Sequence, residues 1–183
     1  MAQLQQMLLR DDQAIKNVRN QDAEDLAREA KASASAEDGA ARAALVLDGH
    51  TRDIPDKRGD PAEVHHWAAP APAWIELKWE RPRRIGQVQV TFDSGFKRQL
   101  TLSSQESQQV NLLRAAQPET VRDYDIVARG ADGKELVLAS VKGNFQRLRR
   151  HRFEAVEAQS VRVVVHATNG DALARVFEVR CYG

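Results

Sequence analysis

Cysteine is almost missing from this chain. One residue, Cys181, among 183 excludes an internal disulfide and any cysteine-built metal cage. It falls in an alternating apolar run, as a core residue does, and nothing marks it as a nucleophile. Charge of one sign is lacking as well. Lys plus Arg number 27 and Asp plus Glu 26, a formal net charge of +1, so no whole-chain field favours nucleic acid or an anionic membrane. No apolar run approaches the roughly 18 residues of a membrane-spanning helix. Residues 1–13 lack the basic-then-apolar plan of a secretory signal. Catalytic signatures are absent too: there is no G-x-S-x-G, H-E-x-x-H, P-loop or G-x-G-x-x-G. The expectation is a non-catalytic module. An enzyme, such as a jelly-roll lyase or metal-dependent hydrolase, would need convergent carboxylates and histidines in one cleft.

What the chain has is alternation. From Trp74 to Trp79 apolar and polar residues take turns, so Ile75, Leu77 and Trp79 share one face while Glu76 and Lys78 take the other. That period of two marks a half-buried strand. Arg81-Pro82-Arg83 is expected to close it as a turn, because proline cannot feed a central ladder. A second strand follows, with Val88, Val90 and Phe92 inward. Further strands are predicted at 31–36, 98–102, 123–129 and 135–141, around Val161, Val163 and Val165, and at 175–182. In the last, Phe177, Val179 and Cys181 share a face and Glu178 points away. Ala131-Asp132-Gly133-Lys134 is a hairpin turn. About eight strands without βαβ spacing predict an all-β, antiparallel β-sandwich or jelly roll.

Residues 1–32 differ. Leu4, Met7 and Leu8, weakly continued by Ile15 and Val18, suggest a marginal helix, and Asp22 is a plausible cap for a second over 24–30. We expect a short helical N-terminal arm or linker at 1–32 and the sandwich at 33–183. Residues 54–72 are polar and proline-punctuated, a long loop ending in His65, His66 and Trp67. His65 and His66 are adjacent, point apart in an extended chain, and lack flagged co-ligands, so they do not by themselves make a metal site.

The order of short motifs carries a resemblance. Leu47-Asp48-Gly49, then Trp67, Ala73-Trp74-Ile75-Glu76-Leu77, Ile85-Gly86-Gln87-Val88, Tyr124-Asp125-Ile126 and Arg175 to Gly183 resemble the discoidin-like, coagulation-factor type C family of galactose-binding-domain-like β-sandwiches. The likeness spans residues 40–183. Residues 91–96, 143–153 and 167–170 are similar to the C-terminal accessory domain of bacterial FAD-dependent oxidoreductases. That resemblance implies a tail of a larger enzyme, in a periplasmic or secreted setting, with the flavin held outside this segment.

It further implies a structural calcium held by Asp48 and Glu178, with Asp53 as a further donor. It implies sugar binding at loops on one end of the sandwich, where aromatic faces stack on rings and planar polar groups hold hydroxyls. The candidates are His65, His66, Trp67, Phe96, Arg98, Arg147 and Arg149. Trp67 more often packs the core in this family. Arg147, Arg149, Arg150 and Arg152 form either a solvated face or an anionic-glycan or docking patch. Two functions stay open: a carbohydrate- or surface-binding accessory module, or a structural domain docked on its parent enzyme's catalytic domain.

Overall fold

A computed structural model describes residues 22–55, 61–95 and 112–183. The expected helix around Leu4 to Val18, the strand at 98–102 and the candidates Phe96 and Arg98 lie outside the described residues. Among the described residues nine strands follow in chain order: β1 Lys31–Ala34, β2 Ile54–Pro55, β3 Pro61–Glu63, β4 Trp67–Pro70, β5 Ala73–Phe92, β6 Val121–Arg129, β7 Glu135–Val141, β8 Leu148–Thr168 and β9 Leu173–Tyr182. All pairings among them are antiparallel. This is the all-β sandwich that the alternation predicts.

The two strands expected on either side of Pro82 are one. β5 runs without a break through the proline. Its ladder with β8 jumps from Lys78↔Ser160 to Arg83↔Ala158, so Pro82 sits in an irregularity where no N–H is required of it. Such a bulge bends the strand, and β5 thereby serves both layers. Its first half pairs with β1 and the second half of β8; its second half pairs with β9 and the first half of β8. The back layer is β1–β5–β8–β6–β7 and the front layer β4–β9–β5–β8.

The core lies between them. Ile75, Leu77 and Trp79 from the back meet Val88, Val90 and Phe92 from the front in one buried cluster. The rings of Phe92 and Tyr124 cross that space edge-on, 4.9 Å apart. Each such side chain contributes about 1.5–3 kcal/mol on burial.

Three local expectations change. Residues 54–72 are not one loop: β4 lies within them and pairs with β9 at Trp67↔Val176. Trp67 is fully buried, and its indole N–H donates to the Ala36 carbonyl at 2.8 Å. An indole with neither face exposed cannot be a sugar platform, so Trp67 leaves the candidate set. On β9, the ladder with β5 shifts between Thr91 and Phe92. Ala174 and Val176 before the shift, and Val179 and Cys181 after it, enter the core cluster. Phe177 instead meets the His66 ring at 5.1 Å.

The helical arm also differs. Asp25, not Asp22, caps a short 3-10 turn at Leu26–Glu29. The carboxylate of Asp25 accepts from the backbone N–H of Ala27 and of Cys181, both at 2.9 Å. The Trp79 indole N–H donates to the Leu26 carbonyl at 2.7 Å, and Ala27 is buried in the core. The boundary expected at 32/33 falls inside β1, and residues 22–30 pack on the sandwich because Asp25 and Leu26 complete its polar bonding.

Candidate functional site

The outer side of the front layer carries a ladder in three rungs, polar at every position but Leu148. Register places Tyr182–Gln87–Arg152, Arg180–Gln89–Arg150 and Glu178–Thr91–Leu148 side by side across β9, β5 and β8. An outward sheet face is normally wet, yet Gln89, Thr91, Glu178 and Arg180 are 9, 4, 1 and 4% exposed. They floor a groove of about 390 Å³ that Thr51 and Arg147 also line. Glu178 was expected to be either a calcium ligand or a solvated strand residue. It is instead one of the most buried side chains, because it lies beneath this groove.

The groove's charges are arranged in pairs and forks. Arg180 Nη2 donates to Glu178 Oε1 at 2.8 Å. Burial pushes the Glu178 carboxyl up, with the Arg180 bond and charge acting against it. Arg150 Nε donates to Gln89 Oε1 at 2.7 Å, and Arg152 Nε to Gln87 Oε1 at 2.8 Å. Each glutamine carbonyl thus fixes the plane of an exposed guanidinium by one edge. Arg147 donates Nη1 to the Phe92 carbonyl at 3.1 Å and Nη2 to the Thr51 carbonyl. Its guanidinium lies over the Phe177 ring, 5.2 Å from the centroid. Burial brings its pKa down to about 10, so it stays charged at neutral pH. Arg147, Arg150 and Arg180 against one Glu178 leave the groove cationic.

The β7–β8 loop, which leads into the groove-lining Arg147, presents an aromatic side chain. Asn144 is buried and fastens the loop: Nδ2 donates to the carbonyls of Val121 (2.7 Å) and Gln146 (3.0 Å). Its Oδ1 accepts from the Gln146 amide and from Arg149 Nη1. Gly143 takes a left-handed φ of 67°, which glycine adopts without a Cβ clash. The next residue, Phe145, is 67% exposed. Arg149 alternates with Arg150 along β8 and so faces the other side. Burial and the Arg149 charge lower the pKa of His151, whose Nε2 lies 2.8 Å from the Tyr124 hydroxyl.

The other sequence candidates gather around the turn after the 3-10 segment Ala43–Leu47. His65 Nδ1 lies 2.7 Å from Asp48 Oδ2, and His66 Nδ1 lies 2.8 Å from Asp53 Oδ1. The two adjacent histidines do point apart. Asp53 Oδ1 also accepts from the His65 amide at 2.8 Å. Burial raises the Asp53 pKa, but these bonds and the histidine charges outweigh it, and its carboxyl sits below the ordinary range.

This arrangement does not suit calcium. Asp48 is engaged with His65, Asp53 with His66, and Glu178 with Arg180. Among the described residues, the group whose donor atoms lie within 4.8 Å of one another is Asp48, His50 and His65. A hard cation wants six to eight oxygens, and two of these three donors are imidazoles.

Of the candidates read from sequence, the structure puts Arg147 in the groove wall, Arg149 behind the loop and His65 and His66 on the Asp48–Asp53 turn. Sequence reasoning left out Gln87, Gln89, Thr91, Arg180 and Phe145 as site residues. Alternation marked Gln87, Gln89, Thr91 and Arg180 as outward, but only the β5–β9 register shows them meeting; Phe145, in a loop, carries no such signal. No helix among the described residues is long and apolar enough to cross a membrane.

No protein-family model matches the chain, and no curated protein matches it. Solved structures do. The family 32 carbohydrate-binding module of Clostridium perfringens NanJ, in complex with galactose, aligns at TM-score 0.61 and 15% identity over 86% of this chain and 96% of that one. Chitosan-binding module 1 of a Paenibacillus sp. IK-5 chitosanase/glucanase aligns at 0.60 and 17% over 87% and 98%. The family 32 module of AlyQ, in complex with 4,5-unsaturated mannuronic acid, aligns at 0.56 and 14% over 83% and 93%. The chain therefore shares with these modules the antiparallel, galactose-binding-like β-sandwich.

Proposed function

We propose that this chain is a non-catalytic carbohydrate-binding module whose ligand carries a carboxylate, as a uronic acid does. The observation that carries this reading is the groove: polar and charged side chains buried on an outward sheet face beneath an open cleft. Burying an ion pair and two further polar side chains is costly where apolar packing would serve. A ligand that takes hydrogen bonds from that floor gives the arrangement a use. Gln87, Gln89 and Thr91 offer amide and hydroxyl groups to sugar hydroxyls. Arg150 offers the terminal edge of a fixed guanidinium to a carboxylate. The exposed Phe145 ring, two residues before the groove-lining Arg147, supplies a stacking face. The sugars in complex with structures of the same fold, one of them a uronic acid, support the class of ligand.

The test is a glycan array with neutral and acidic sugars, followed by calorimetry on the hits. Uronate-bearing glycans are expected to bind, and Arg150→Ala to weaken them at least tenfold with an unchanged melting temperature. Absence of binding to every neutral and acidic glycan would overturn the proposal.

A second reading, docking on a parent enzyme, is favoured by one observation. Leu136 and Val137 on the edge strand β7 are 52 and 58% exposed. An apolar edge is a surface for another protein chain. The motif resemblance points to a flavin-dependent oxidoreductase as that parent. Co-purification of the catalytic domain, lost in Leu136→Ser/Val137→Ser, tests it.

A further inference from the structure

His50 was not singled out in the sequence, yet it joins Asp48 and His65 in a compact group. The rings of His50 and His65 stack with centroids 4.0 Å apart and an angle of 28°. His50 Nδ1 lies 3.5 Å from Asp48 Oδ1, and His65 Nδ1 lies 2.7 Å from Asp48 Oδ2. Donor atoms around a tetrahedral ion with bonds of about 2.0–2.1 Å stand roughly 3.3 Å apart. The two distances bracket that spacing. A small rotation of either ring opens a place for an ion.

Two further observations point to a ligand. His50 Nδ1 is shut off from solvent and has no hydrogen-bond partner, although the rest of the ring reaches the surface. A buried, unpaired ring nitrogen costs free energy that a bound cation would remove. His65 Nε2 is likewise shut off and unpaired, and faces Glu63 Oε2 at 3.5 Å. A carboxylate behind the second nitrogen is the outer contact that orients a metal-bound imidazole.

We propose that Asp48, His50 and His65 bind a divalent transition-metal ion of the zinc class, with Glu63 positioning His65. Two imidazoles and one carboxylate suit zinc, nickel or copper and are poor for calcium. Three protein donors leave a fourth position for water. The ion would brace the turn whose Thr51 carbonyl holds Arg147 at the groove wall. This site stands whether or not the groove takes a sugar.

The experiment uses the untagged chain, stripped with chelator. Zinc and calcium are titrated separately by calorimetry and thermal melts. Zinc is expected to bind one equivalent and raise the melting midpoint; calcium at the same concentration is expected to leave it unchanged. His50→Ala and His65→Ala should each weaken zinc binding at least tenfold. His166→Ala, a histidine paired elsewhere with Asp125, should leave it intact. If His65→Ala does not fold, the half-buried His50→Ala decides. Cobalt should give the intense visible bands of a tetrahedral site. An unchanged midpoint with zinc, a calcium-selective shift, or zinc binding that survives His50→Ala overturns the proposal.

Discussion

Breaking the Glu178–Arg180 pair from either side leaves a buried charge without its counter-charge beneath the groove, although Arg180 keeps its bond to Tyr182. Glu178→Gln and Arg180→Met are each expected to cost about 3–5 kcal/mol, the range for removing one partner of a buried ion pair. Urea midpoints check this, and a loss below about 1 kcal/mol would show the pair to be wet. His151 makes a second residue-scale prediction. Burial and Arg149 depress its pKa, so the folded chain keeps a neutral imidazole. Tyr124, pushed up to about 12 by burial, stays protonated with its hydroxyl 2.8 Å from His151 Nε2. The unfolded chain takes up its proton first, near pH 6.5. The stability from this group is therefore present above that pH and is lost as the pH falls through the lower, folded value. Denaturation midpoints between pH 7 and 5 should decline, and less steeply in His151→Gln.

At the scale of the element, the β7–β8 loop separates holding from binding. Asn144→Ala removes the bonds to two carbonyls and leaves them without that donor, a loss of about 1–3 kcal/mol for each group left buried and unmet. Phe145→Ala touches no core contact, so its midpoint should move by no more than about 0.5 kcal/mol. Glycan affinity, measured on both variants, should fall for each. Retained affinity in Phe145→Ala would remove the ring from the site. Strands were the legible elements, because a period of two states which face is buried. The hairpin at residues 131–134 and its partner strand at 135–141 follow from the turn residues and the apolar run beside them. Pro82 was read as a turn because its missing N–H argues against a ladder. The bulge that excuses the N–H depends on β8, far along the chain. Trp67 was ambiguous for a similar reason: nothing near it in sequence shows that Ala36 receives its indole N–H.

At the scale of the molecule, the antiparallel two-layer architecture was open to sequence reasoning, while the strand order and the site were not. A sandwich needs only amphipathic strands, and many sequences satisfy that. The groove needs Gln89 flanked by Arg150 and Arg180, which belong to three strands. The metal-ligating group needs His50 to fold back on His65 across the residues between them. Fold alone does not carry function, so the decisive whole-molecule test is ligand linkage. A uronate oligosaccharide at a hundred times its dissociation constant should stabilise the intact chain by about 2.7 kcal/mol, read as a higher melting midpoint. No shift at saturating ligand would separate the measured binding from the native fold.

The continuity of β5 and β8 through both layers has a kinetic consequence. Ala73 pairs with Val165, and Thr91 with Leu148, so apart from the β6–β7 hairpin neither layer can zip up from neighbouring residues. Both must wait for one distant encounter, and once it occurs they advance together. Refolding should accordingly be slow, milliseconds to seconds as for chains ruled by remote pairing, with fluorescence and circular dichroism rising in step.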